Sequence, residues 1–107
     1  MNIYIKRGCI IDIDDFGNTI KKWLKNGKPH RTDGPATEYI AGTHKGSYEW
    51  ALQDIYHRES GPAAVWITDG QISGAEYYLD GKFYPQNKYN PCYTVEIARR
   101  KAAKENI

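Results

Sequence analysis

Two imidazole and guanidinium pairs, His30-Arg31 and His57-Arg58, are the side chains of this chain best equipped for chemistry. Each pair opens a nearly identical heptapeptide, HRTDGPA at 30–36 and HRESGPA at 57–63, so equivalent residues stand 27 positions apart. An imidazole exchanges protons near neutral pH and ligates metals. A guanidinium presents five N–H donors in a fork suited to carboxylates, phosphates and carbonyls. A shared metal would need the two imidazoles to converge, yet one full repeat places them roughly 10 Å or more apart in neighbouring units. His44, in a Gly-flanked loop, reads as a surface residue, and the run Asp12, Asp14 and Asp15 reads as protection of a sheet edge rather than as a cation site. Cys9 and Cys92 form no CxxC pair, which argues against a disulfide framework or zinc and for a reducing, intracellular setting. The chain has no Ser-His-Asp or Cys-His order, no phosphate loop and no HExxH element. The expectation is a non-enzyme with no cofactor and no metal.

The repeated placement of the pairs makes a structural duty their leading role, with ligand contact second. In the corner that each heptapeptide forms, the glycine is expected to take a positive φ, the proline to fix its own φ and remove a donor, and the alanine to begin the next strand. His30, Arg31, His57 and Arg58 are expected to satisfy the carbonyls such a corner exposes, or to stack on an aromatic of a neighbouring unit.

The repeat extends beyond the heptapeptide. WLKNGKPHRTDGPATEYI at 23–40 aligns without a gap on WALQDIYHRESGPAAVWI at 50–67, matching Trp23 to Trp50 as well as the corner residues and placing Tyr39 on Trp66. A decayed third copy, YYLDGKFY at 77–84, puts Tyr77 in the tryptophan position and Tyr84 in the histidine position. The dipeptides NG at 26–27 and DG at 80–81 are strong hairpin signals, and QD at 53–54 is a weaker one. Tyr48, Trp50 and Leu52 alternate with Ser47, Glu49 and Ala51 as a half-buried strand does. The fold expected is mainly β (α+β): an antiparallel β-meander of about 2.5 repeats of 27 residues, followed by a C-terminal α-helix. The whole of 1–107 reads as a single domain, with leading strands over 1–16 around a turn at Arg7-Gly8, β repeats over 17–89 and the helix in 90–107. Asn90 is the expected N-cap and Pro91 the first helical residue, with Val95, Ala98 and Ala102 as the stripe facing the sheet and Arg99, Arg100, Lys101 and Lys104 facing solvent.

The pattern W..nG..HR.dGPA resembles the MORN-like repeat variants found in proteins of large tailed bacteriophages and some large viruses, over roughly residues 17–84. The resemblance implies short β-hairpin units stacked into an extended sheet, protein contact and no catalytic residues. It also implies a small phage accessory or host-takeover protein, acting in the host cytoplasm by binding and modulating or inhibiting a host protein. The chain departs from the ordinary glycine- and tyrosine-rich MORN pattern, so membrane-lipid binding is not carried over.

Composition agrees with a binding role. At 107 residues the chain suits one small core, and its 9 tyrosines and 3 tryptophans belong to wet, adaptable surfaces as much as to an interior. A net charge of +2 is too balanced for an obligate polyanion binder. A protein partner is therefore expected first, through Trp50, His57, Arg58, Tyr77 and Tyr84 together with His30 and Arg31. RNA or single-stranded DNA is the second expectation, through the stripe Lys21, Trp23, Lys25, Lys28 and Arg31, joined by Arg99 and Arg100 of the helix. A third is self-assembly into a homodimer through an exposed β edge. No apolar run is long enough to cross a membrane, and the amino-terminal stretch lacks the apolar region of a secretory signal, so a soluble, cytoplasmic protein is expected.

Overall fold

A computed structural model describes residues 2–6 and 8–105, so the turn expected at Arg7-Gly8 and the last two residues of the expected helical tail lie partly outside the described residues. In chain order the elements are β1 (Asn2–Lys6), β2 (Cys9–Ile13), β3 (Thr19–Lys25), β4 (Lys28–Pro29), β5 (Thr37–Ala41), β6 (Tyr48–Glu49), β7 (Ala51–Leu52), β8 (Ile55–Tyr56), β9 (Ala64–Thr68), β10 (Gln71–Leu79), β11 (Lys82–Tyr84) and α1 (Cys92–Glu105). The main sheet runs β1-β2-β3-β5-β6-β9-β10-β11, and every pairing in it is antiparallel. Sheet order follows chain order except for β4, which pairs β3, and the β7–β8 hairpin, which pairs within itself. The fold is the expected mainly β meander with a C-terminal helix. It is a slab of 48 × 31 × 16 Å with a radius of gyration of 15.4 Å, against about 13 Å for a rounded domain of this length.

The hairpin of each repeat unit closes with two residues: Lys25 pairs Lys28, Leu52 pairs Ile55 and Leu79 pairs Lys82, around Asn26-Gly27, Gln53-Asp54 and Asp80-Gly81. Both central residues of each turn have positive φ, the type I′ geometry whose twist matches that of the flanking strands. Gln53-Asp54 adopts it although neither residue is glycine.

Backbone bonds recur with the sequence period. The Trp23 and Trp50 amides donate to the carbonyls of Ala36 and Ala63 at 2.8 and 2.6 Å, and the Ala36 and Ala63 amides donate to Glu49 and Glu76 at 2.8 and 2.9 Å. These alanines are wholly buried, as are Ala64, Cys9 and Leu79. A corner this tight accepts a methyl group and nothing larger without displacing a strand. Full burial of Leu79, by contrast, is worth about 1.5–3 kcal/mol. The core is thin and follows the line of the corners.

Three expectations about loops and helix are corrected. His44 is half-buried, its Nδ1 hydrogen-bonds the Ile67 carbonyl at 3.0 Å and its ring meets Tyr39 edge-on, because the 42–47 loop folds back over β9. The helix turns a different face to the sheet from the one expected. Val95, Ala98 and Ala102 are exposed, whereas Tyr93 is buried and Glu96, Ile97 and Arg100 are half-buried. A tyrosine offers far more contact area than two alanines, so Tyr93 sets the rotation of the helix. Asn90 does not cap the first turn. The Tyr93 amide donates to the Pro85 carbonyl at 3.1 Å and the Thr94 amide to Gln86 Oε1 at 3.1 Å, so the segment before the helix satisfies its first donors.

Candidate functional site

Each corner is built around its arginine. Arg31 lies over the Trp23 ring at 4.5 Å and Arg58 over the Trp50 ring at 4.2 Å, so each guanidinium stacks on the indole of its own unit rather than on a neighbour's. Nη1 of each donates to the carbonyl that precedes the alanine, Pro35 at 3.2 Å and Pro62 at 3.1 Å. This is the bracing role expected of the pair. The corner glycines differ in backbone: Gly61 has the expected positive φ, at 155°, and Gly34 does not. What they share is room: a Cβ on Gly34 would lie 2.8 Å from Arg31 Cζ, and one on Gly61 would lie 3.2 Å from Arg58 Nη1.

The histidines reach forward along the chain as acceptors. Nδ1 of His30 accepts the Gln53 amide at 3.0 Å and Nδ1 of His57 accepts the Asp80 amide at 2.9 Å, so each imidazole holds the hairpin turn of the following unit. In the neutral ring this leaves the proton on Nε2. The same forward direction appears in the backbone, where Arg31 donates to Ala51 and Arg58 to Tyr78, each at 3.1 Å.

The third unit has no arginine, and Tyr93 of α1 completes it. The Tyr93 ring packs on Tyr77 with centroids 4.7 Å apart, its hydroxyl donates to the Arg58 carbonyl, and it accepts the Gly61 amide at 3.2 Å. Burial pushes this phenol up from its ordinary pKa, which keeps the donating proton in place. Tyr84 pairs Tyr77 across β10 and β11 under Lys82, and does not repeat the histidine contact. Arg100 donates to Asp80 at 3.0 Å and to Glu96 at 2.9 Å, so it ties the helix to the third turn and does not point freely into solvent as expected. Arg99 pairs Glu96 and is largely exposed.

Between the first and second corners lies a groove of about 370 Å³ lined by Arg31, Thr32, Trp50, Leu52, His57, Arg58, Glu59 and Ser60. It gathers four of the residues singled out from the sequence: Arg31, Trp50, His57 and Arg58. Thr32, Leu52, Glu59 and Ser60 were not singled out. They became visible only once the corners were stacked, although the alternation of Leu52 with Trp50 already placed those two on one face. Lys21, Lys25 and Lys28 lie outside the groove. Lys21 sits 5.4 Å over the Trp23 ring, and Lys25 and Lys28 pair across the exposed first hairpin.

The basic stripe is less basic in space than in sequence. Glu38 pairs across from Lys21 and accepts from Arg31 at 2.9 Å, Asp33 accepts from Arg31 at 3.1 Å, and on the opposite strand face Lys22 donates to Asp12 at 3.1 Å. Asp14 is also engaged, taking the Phe16 and Asn18 amides at 2.9 Å each. Among the described residues no group of three or more His, Cys, Asp or Glu side chains is arranged to hold a metal ion, and no helix is long and apolar enough to cross a membrane. Comparison with family models, with curated proteins and with solved structures returns no match.

Proposed function

We propose that the chain is a non-enzymatic binding protein of the MORN-like repeat type whose groove between the first two corners receives a protein partner. One observation carries this reading. The groove joins the apolar faces of Trp50 and Leu52 to two guanidinium groups, and those groups are already held by stacking and carbonyl contacts. Arginine and tryptophan dominate binding hot spots, and a pre-ordered side chain loses little rotamer freedom on association. The resemblance to bacteriophage repeat proteins makes a host protein the partner we assign, the host cytoplasm its location, and modulation or inhibition its consequence. A polyanion fits less well, because Glu38, Asp33 and Asp12 answer the basic stripe at close range.

Capture from host lysate, with and without nuclease, tests the proposal when wild type is compared with Thr32→Tyr, a variant at an exposed position that fills the groove. Capture that survives nuclease and is lost in Thr32→Tyr is expected. Capture abolished by nuclease would put RNA or single-stranded DNA in the partner's place, and replacing Lys21, Lys25 and Lys28 by Gln would then flatten the salt dependence by roughly 0.7 in slope per contact removed. Self-association that persists in Thr32→Tyr would instead point to pairing through the outer strands β1 and β11.

A further inference from the structure

The geometry points to a carboxylate site within this groove: we propose that Arg58 anchors a Glu or Asp side chain of an acidic segment of the partner protein. This inference rests on the protein-binding reading above and names the chemistry of the partner.

The ground is a difference between two arginines in equivalent positions. Arg31 is neutralised within the chain, its Nε donating to Asp33 at 3.1 Å and its Nη1 to Glu38 at 2.9 Å. Arg58 has the same stacking and the same carbonyl contact, but Ser60 and Val65 stand where Asp33 and Glu38 stand one unit earlier. Its Nε reaches only Ser60 Oγ, and its Nη1 only the Tyr48 hydroxyl, both at 3.3 Å, besides Pro62. Among the described residues no carboxylate lies within ion-pair distance of Arg58, and its Nη2 makes no hydrogen bond. The edge formed by Nε and Nη2 is the side of the fork that takes a carboxylate in two parallel bonds. On Arg31 that edge meets Asp33. On Arg58 it meets a weakly held hydroxyl that can rotate away.

The surroundings favour a carboxylate on a protein over a phosphate chain. Trp50 and Leu52 form an apolar wall that an aliphatic neighbour of the acidic residue would cover, and the Thr32 hydroxyl supplies a further polar contact. Glu59 is the one acidic residue lining the groove, and its carboxylate lies 4.0 Å from His57 Nε2 rather than against Arg58. A negative group at the rim tolerates one incoming carboxylate beside Arg58 and repels a polymer carrying charge at every step.

The test uses the intact chain and three probes: acetyl-Leu-Glu-Leu-amide, acetyl-Leu-Gln-Leu-amide and oligothymidine. Binding is followed at the Arg58 Nε–H and Trp50 indole resonances. The Glu peptide is expected to move both, with an affinity at least about tenfold above that of the Gln peptide, as a charge-assisted fork contact requires. Ser60→Asp, which copies Asp33 onto the second corner, should abolish that preference while the melting temperature holds or rises. Ser60→Asn, of the same shape without the charge, should keep it. Equal response to the two peptides, or loss of the preference in Ser60→Asn, overturns the carboxylate anchor and leaves a peptide-binding groove standing. Response to oligothymidine alone overturns this inference together with the protein-binding reading. Silence from all three probes overturns the carboxylate site, while nuclease-resistant capture lost in Thr32→Tyr would still uphold a protein partner.

Discussion

Asp54→Gly should make this protein more stable although it removes a side chain and adds no contact. Asp54 has a φ of 67° in the second hairpin turn, where the corresponding residues of the other two turns are Gly27 at 76° and Gly81 at 80°. An L-residue in the left-handed region costs about 1–2 kcal/mol, with Asp toward the low end because its short side chain bonds locally. Glycine removes that cost and gives back about 0.4–1 kcal/mol by loosening the unfolded chain. With the cost for Asp near ~1 kcal/mol, the balance is a gain of up to about 0.6 kcal/mol, or up to about 4 °C in melting temperature for a domain of this size. The turn's bond to the preceding unit survives, because it runs from the Asp54 backbone amide to the Pro29 carbonyl at 2.7 Å. Gly27→Asp is the mirror experiment. A Cβ there meets nothing within 4 Å, so only the backbone term acts, and a loss of similar size is expected. Gly81 would be a poorer control, since its Cβ would press on Ile55 Cγ2 at 3.1 Å. Thermal unfolding followed by circular dichroism reads both variants. A lower melting temperature for Asp54→Gly, or no change for Gly27→Asp, would refute the claim that the three turns share one backbone geometry.

Arg31→Ala and Arg58→Ala should each lower stability by about 1.5–3 kcal/mol in thermal or denaturant unfolding, since each removes charge-assisted bonds and uncovers an indole. Tyr93→Phe keeps the ring on Tyr77 but leaves the Gly61 amide without its acceptor. A loss of about 1–3 kcal/mol and faster hydrogen exchange at Gly61 are expected. The Arg99 and Arg100 guanidinium groups hold the Glu96 carboxyl at about 2, below its ordinary 4.5. A depressed folded-state pKa stabilises above the unfolded value, so this contribution should be complete above about pH 4.5 and fade as pH falls toward 2. Glu96→Gln should remove that part of the acid dependence, as read from melting temperature against pH.

The hairpin turns are legible in the sequence because two independent signals agree on them. Asn-Gly and Asp-Gly mark the first and third by conformational preference, and the 27-residue period carries the same geometry onto Gln53-Asp54, where preference alone would not place it. The stacking of Arg31 and Arg58 on tryptophans was half legible, since the residue types fit, but the choice of the unit's own indole depends on how sharply the corner folds. The facing of the helix was not legible from aliphatic spacing. Its rotation is decided by Tyr93, whose partners Arg58 and Gly61 are 35 and 32 residues away in the chain. The bare Arg58 also escaped notice, because its distinction is an absence at positions 60 and 65 that matters only once Asp33 and Glu38 are seen gripping Arg31.

The forward direction of the histidine bonds gives the chain a head and a tail. Each unit offers an acceptor in front, at His30 or His57, and brings a turn amide from behind, at Gln53 or Asp80. Such a joint works like a hook and an eye, and it is indifferent to how many links stand in the row. A further 27-residue link spliced between the first and second would find a hook waiting and would present one in turn. The last link differs, because its hook position is Tyr84 and its arginine is replaced by a tyrosine from the helix. Growth by duplication is therefore open in the middle of the molecule and closed at the end where Tyr93 fastens it.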